Sequence, residues 1–291
     1  MESVQSLERR RLSAWRTGLG AILVALIMLA GLGLASAQSA PPALVYVFRP
    51  IGGKFLGKEM DKLADRLKGQ GYAVTVNNYT AFGPPAKDAI RLYKEAAVKP
   101  RIIALGYSAG GDSAIRFALV LRKAQVPVDL IVALDPTRIA NRVPSNVERF
   151  VNIFNSEHTM GGGDPKPARD FTGHFAAVDV KDFNNAVHLD ISGVVEMQNA
   201  MFDKIVEVVN SPDVPGPSVP IAYAPPKGAK LEIWDSGVPV NAAAGDTVAS
   251  VAAQFGVPAW LVADVNDIDP DKPLKPGQKL IVPRHISAST N

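Results

Sequence analysis

Between Ala43 and Val209 short apolar, β-branched runs alternate with stretches in which apolar residues recur every three or four positions. That alternation is expected when crossover helices connect parallel strands. Strands are predicted over 43–48, 73–77, 101–105, 128–134, 150–154 and 175–180, several of them solidly apolar, as strands covered on both faces should be. Leu56, Met60, Leu63 and Leu67 mark the first intervening helix, with charges between them and Gly69 and Gly71 as a stop. A last helix carries Val194, Met197, Met201, Ile205 and Val208 on one face, a core stripe rather than a ligand set. The fold class read from this pattern is α/β: a compact, mostly parallel sheet with helices on both faces, spanning 38–210.

The pattern changes at 211–229, where Pro212, Pro215, Pro217, Pro220, Pro225 and Pro226 interrupt any apolar period. Such a stretch reads as an extended, semi-rigid linker. Beyond it, Gly245-Asp246-Thr247 opens a helix with Val248, Val251, Ala252 and Phe255, which Gly256 ends. A second short helix spans Trp260 to Val265 and leads to Asn266, and 274–283, reading Leu-Lys-Pro-Gly-Gln-Lys-Leu-Ile-Val-Pro, predicts a turn and a strand. Residues 230–285 therefore predict a small α+β module ordered strand, helix, helix, strand, with 286–291 as a tail.

These landmarks, in this order, resemble the LysM family. The resemblance implies binding of peptidoglycan or another N-acetylglucosamine-containing glycan in a shallow groove. Carried over by position, it implicates Gly245, Asp246, Thr247 and Val248 on one side and Asp267, Ile268 and Asp269 on the other. A glycine turn and a helix cap serve the fold equally well whether or not sugar binds. One departure stands out: Val238-Pro239-Val240 lies where the first strand belongs, and proline confines a strand to an edge or to its first position. The first strand is expected to begin earlier or to be short.

Charge changes the picture at the amino terminus. Of the net +3, two charges come from residues 1–37, where Arg9, Arg10, Arg11 and Arg16 outweigh Glu2 and Glu8, leaving one for the rest. Nothing in that balance argues for a nucleic-acid partner. The basic stretch precedes an uncharged run from Leu19 to Leu34 and then Ala35-Ser36-Ala37, the layout of a secretory signal. At 16 residues the run is shorter than the roughly 20 a spanning helix prefers. Cleavage after Ala37 is the expectation, with a retained membrane anchor as the alternative and export to the periplasm or envelope in either case. The chain has no cysteine, which excludes disulfides, thiolate metal sites and a lipid-anchored cysteine.

Candidate chemistry lies where the third strand runs into Gly106-Tyr107-Ser108-Ala109-Gly110-Gly111 and then an apolar helix. Small residues flank the serine because a sharp strand-to-helix turn needs strained dihedrals and close neighbours. A serine nucleophile needs a base. His188 and His158 lie in loops at the carboxyl edge of the predicted sheet, with His188 preferred; His174 belongs at the opposite edge and His285 in the second module. Asp135, closing the strand that ends at Leu134, is the favoured acid, with Glu157 and Asp164 as rivals. The amide of Ala109 and the loop with Gly52 and Gly53 are candidate donors to an oxyanion. Met160-Gly161-Gly162-Gly163 is either a mobile wall over the site or a plain surface loop.

Strand, G-x-S-x-G, helix, with the order serine, acid, histidine, resembles the α/β-hydrolase superfamily. The resemblance implies attack by Ser108 on an acyl carbonyl, proton transfer through His188 and orientation of His188 by Asp135. The partners expected are an acyl ester substrate and a wall glycan, with no cofactor and no metal. A non-catalytic envelope protein using the same cleft and module for recognition is the other reading.

Overall fold

The computed structural model describes residues 43–183, 187–211 and 218–286; the expected signal segment, part of the expected linker and the tail from 287 lie outside them. The first domain is built from β1 (Ala43–Arg49), α1 (Lys58–Gly69), β2 (Ala73–Asn78), α2 (Gly83–Glu95), β3 (Arg101–Tyr107), α3 (Ala109–Lys123), β4 (Leu130–Leu134), β5 (Arg149–Phe154), β6 (His174–Asp179) and α4 (Val195–Asn210). After 218 follow β7 (Ile221–Tyr223), β8 (Ser236–Asn241), α5 (Val248–Phe255), α6 (Ala259–Val265) and β9 (Lys279–Arg284).

Seven strands pair in parallel in the order β2-β1-β3-β4-β5-β6-β7. Successive side chains of a strand point to opposite faces, and β1 shows the consequence. Val45 and Val47 enter one core with Met60, Leu63, Met197, Met201 and Ile205 of α1 and α4. Tyr46 and Phe48 enter the other, with Ala86 and Ala89 of α2 and Ile115 and Phe117 of α3. The chain winds outward from β1 to β2 and then reverses to β3, so the crevice beyond the carboxyl ends of β1 and β3 is the switch point of the sheet, where open α/β folds place their sites.

The linker expectation needs correction over its second half. Ile221–Tyr223 joins the sheet beside β6, with Ala176 opposite Ile221 and Val178 opposite Tyr223. Its burial alternates, Ile221 and Tyr223 in and Ala222 out, and Pro220 precedes it where an edge strand tolerates proline. Three residues are too few to show a period, so the prolines masked the strand.

The carboxy-terminal module has the predicted order, with β8 and β9 antiparallel and the two helices between them. The first strand does begin before Val238, at Ser236, and Pro239 sits opposite Ile281 in a two-stranded sheet. Thr247 caps α5 through a reciprocal pair of hydrogen bonds with Ser250, and Gly256 ends that helix at φ 64°. Asn266 ties α6 to β9, donating to the carbonyls of Val262 and Ile281 and accepting from the Ile281 amide.

The module is packed onto the first domain. Leu231, Ile233, Trp234, Val248, Leu261 and Val282 belong to the same contiguous apolar core as α1, α4 and one face of the sheet. Val219 bridges Gly237, and a β-carbon on Gly237 would fall 2.2 Å from Ile281 and 3.0 Å from Ile221, so only glycine admits this approach. At the junction the fully buried Asp235 accepts from Lys204 of α4 at 3.2 Å and from the Ile286 amide at 2.8 Å, with Arg149 of β5 at 3.9 Å. His174 and Ser236 meet at 3.0 Å beside it. Arg149 and His174 start β5 and β6, so this junction lies at the amino edge of the sheet, while Asp264 of α6 accepts from the Ala224 amide just past β7, the edge strand farthest from the switch point.

Candidate active site

Ser108 follows the last residue of β3 and caps α3 at φ 54° and ψ −128°. A non-glycine residue held there costs about 1–3 kcal/mol, a strain kept only where surrounding structure enforces it. The enforcement is visible on both sides. A β-carbon on Gly106 would lie 2.1 Å from the Gly110 carbonyl oxygen, and one on Gly110 would lie 2.1 Å from that of Phe48. The elbow is therefore pressed against the end of β1, and neither glycine can be replaced without moving backbone.

The Ser108 hydroxyl donates to Nε2 of His188 at 3.0 Å, and His188 Nδ1 donates to Asp135 Oδ2 at 2.6 Å. The direction follows from chemistry: a carboxylate only accepts, so Nδ1 carries the proton and Nε2 presents its lone pair to the serine. Asp135 is fully buried just past β4, itself at φ 45°. Burial alone would raise its pKa, but donation from His188 and His158 and from the amides of Gly162 and Asn155 holds it below the ordinary carboxylate value.

Residues to which the sequence pattern gave another role, or none, complete the arrangement. His158, the rival base, lies instead on the acid: its Nδ1 donates to the same Asp135 Oδ2 at 2.6 Å, with its ring edge-on to His188. Gly162 and Asn155 donate to Asp135 Oδ1 at 2.8 and 3.2 Å. Gly161 has to be glycine, because a β-carbon there would sit 2.4 Å from both Asp135 Oδ2 and His188 Nδ1. Residues 155–162 thus wrap the carboxylate, and Arg138 fixes them through the carbonyls of Ser156 and His158. The Tyr107 hydroxyl, its pKa pushed up chiefly by burial, donates to the His188 carbonyl and anchors the base from the other side. Its only sequence signal is the variable position before the serine. Of the rival acids, Asp164 pairs with Lys166 at the surface. Glu157 uses its amide to cap Asn155.

Ala109 is the first residue of α3, where amides have no partner inside the helix. Gly52 and Gly53 sit at φ 86° and 56° in the loop after β1. The Gly53 amide is already used, donating to the Pro50 carbonyl at 3.1 Å. Of that trio, Gly53 is thus the member whose amide is engaged within its own loop. Ser108 is more enclosed than an open elbow suggests, only 7% exposed.

Among the described residues two groups bring metal-type donors together, Asp135 with His158 and His188, and Glu207 with Asp235 and His285. In the first, both imidazoles already donate to one oxygen at hydrogen-bonding length. In the second, the carboxylates are engaged by Lys204.

In the module, the two predicted groove loops adjoin through the Leu274 amide, which donates to the Asp246 carbonyl at 3.3 Å. Gly245, Thr247, Asp267 and Asp269 are exposed and Asp246 and Ile268 half-buried, whereas Val248 is fully buried. Val248 can offer a ligand only its backbone. Asp246 closes its own turn, accepting from the Ala243 amide and the Ser250 hydroxyl, and Asp269 accepts from Asp271 and pairs with Lys272. Both loops lie at the end of the β8–β9 pair remote from Asp235 and Ser236, so the first domain leaves them open.

Comparison with a family profile decides the nature of this module. Residues 243–283 are a LysM domain. LysM domains bind N-acetylglucosamine-containing glycans such as peptidoglycan. Comparison with curated proteins gives no match. Among solved structures the chain is similar to a Xanthomonas campestris pv. campestris protein provisionally described as a hydrolase of the alpha/beta superfamily, at 14% identity and a TM-score of 0.36, over 56% of this chain and 98% of that one. The first domain is a seven-stranded parallel sheet with helices on both faces.

Proposed function

We propose that this protein is an exported serine hydrolase that cleaves ester or other acyl bonds and is held at the cell envelope by its LysM domain. The observation that carries the reading is the unbroken chain from Ser108 Oγ to His188 Nε2 at 3.0 Å and from His188 Nδ1 to Asp135 at 2.6 Å. In the mechanism, His188 Nε2 takes the hydroxyl proton as Ser108 Oγ attacks the carbonyl carbon. The amides of Ala109 and Gly52 receive the oxyanion, and His188 returns the proton to the leaving alcohol as the carbon–oxygen bond breaks. Water, deprotonated by the same imidazole, then releases the acid and restores Ser108. Asp135 stays ionised throughout and stabilises the imidazolium. The exposed Gly245-Asp246-Thr247 and Asp267-Ile268-Asp269 loops support the addressing role.

A fluorophosphonate probe tests the catalytic half: it should label the wild-type protein and spare Ser108→Ala, and a folded wild type left unlabelled would refute it. Sedimentation with purified peptidoglycan tests the address. Substituting Asp267 and Asp269 with alanine should weaken co-sedimentation, and no sedimentation of the wild type would count against wall binding.

A further inference from the structure

Six of the ten large apolar side chains exposed among the described residues are Ile51, Phe55, Leu56, Met160, Val187 and Leu189. Scattered exposed apolar residues need no explanation, but a concentration of them marks a contact surface. All six belong to three loops, those after β1, β5 and β6, that leave the sheet at its carboxyl edge. Phe55 is 88% and Met160 66% exposed, and Ile51, Val187 and Leu189 are each more than half exposed.

Their placement relative to the catalytic groups is systematic. Val187 and Leu189 flank His188. Met160 precedes Gly161, whose α-carbon abuts Asp135 and His188. Ile51 precedes Gly52, and Leu56 packs against Gly52, with its Cδ1 2.9 Å from where a β-carbon would be. In each loop one residue serves the Ser108 centre while its neighbours turn apolar groups to the solvent around the mouth. Nothing in the fold requires those neighbours to be apolar, since they are not in either core. The LysM domain does not cover them, because they stay exposed with that domain in place.

We propose that this apolar mouth receives the hydrocarbon chain of the substrate's acyl group, so that the enzyme acts on esters of medium- or long-chain fatty acids rather than on acetyl groups of the wall glycan. The inference rests on the serine hydrolase reading of Ser108 and deepens it. Each methylene taken from water is worth about 0.8 kcal/mol, or roughly fourfold, so three of them against Phe55, Met160 and Leu189 give about a 60-fold preference.

The test compares p-nitrophenyl acetate with p-nitrophenyl decanoate, below the concentration at which the longer ester forms micelles, on the full chain and on Phe55→Ser/Met160→Ser. Both side chains lie in solvent, so polar replacements cost the fold little. The expected result is a decanoate-to-acetate ratio of kcat/KM of about 50 or more in the wild type, falling about tenfold in the double variant. A wild-type ratio near or below one, or a ratio the double variant leaves unchanged, would overturn the proposal. Labelling with ethyl and decyl fluorophosphonates separates the two levels. Equal labelling of Ser108 by both probes overturns the chain-length inference and leaves the serine hydrolase standing, whereas labelling by neither overturns both.

Discussion

Asp135 and Asp235 are both fully buried carboxylates, each held below the ordinary pKa against the effect of burial, yet they are solvated in opposite ways. Around Asp135 the donors are two imidazoles and two backbone amides. Around Asp235 they are Lys204 and one amide, with the Arg149 guanidinium as a second cation at 3.9 Å. Cations cancel the charge of Asp235, leaving a lock between LysM domain and sheet. Hydrogen-bonding imidazoles leave Asp135 with charge to offer the His188 imidazolium of the proposed mechanism. The same residue type is structural at one edge of the sheet and, in the proposed mechanism, catalytic at the other, and the difference lies in its donors.

The sharpest way to break this comparison is to neutralise each carboxylate. Asp135→Asn should lower kcat by a factor on the order of 10⁴, because the amide favours the wrong His188 tautomer, and steady-state hydrolysis of the decanoate ester measures it. Asp235→Ala should instead cost about 3–5 kcal/mol of stability by leaving Arg149 buried without its carboxylate and Lys204 with Glu207 alone, read by denaturant unfolding. Its fluorophosphonate labelling well below the melting temperature should persist. If the two variants exchanged phenotypes, the assignment of roles would be wrong.

A pH experiment sharpens the structural side. Burial lowers the His174 pKa from 6.5 to about 4, with Asp235 opposing and Arg149 and Arg284 assisting. Between those values the unfolded chain binds a proton that the folded chain does not. Stability should therefore rise with pH across that window and be lost as pH falls through it. Asp235 and Asp135, with lowered values, lose their contributions only at still lower pH. Melting temperatures at pH 7 and 4.5 should drop further for the wild type than for His174→Gln; equal drops would remove His174 from the lock.

The smallest expected effect concerns His158. As a second donor to Asp135 it positions the carboxylate without touching substrate, so His158→Gln should lower kcat by about tenfold, a loss near 1.4 kcal/mol, and leave KM unchanged. A rise in KM with kcat intact would place it in substrate binding instead.

Much of this was legible in the chain. Apolar runs and helical stripes located six strands, because residues buried on both faces of a parallel sheet have to be apolar. The glycines around Ser108 announced a turn that tolerates no β-carbon, and the LysM landmarks survived because turns and caps depend on local backbone chemistry. The second half of the linker was misread because three residues between prolines carry no period. His158 and Tyr107 were invisible in their actual roles, since nothing local tells a histidine which side of a carboxylate it will meet.

The sequence by itself determined the α/β order, the elbow at Ser108 and the LysM domain, all of which follow from local patterns of burial and backbone freedom. Only the tertiary structure decided that His158 and His188 share one oxygen of Asp135, that the domain is locked to the amino edge through Asp235, and that apolar side chains from three separate loops gather around one serine. Those arrangements join residues far apart in the chain, and only the packing of the sheet fixes which of them meet.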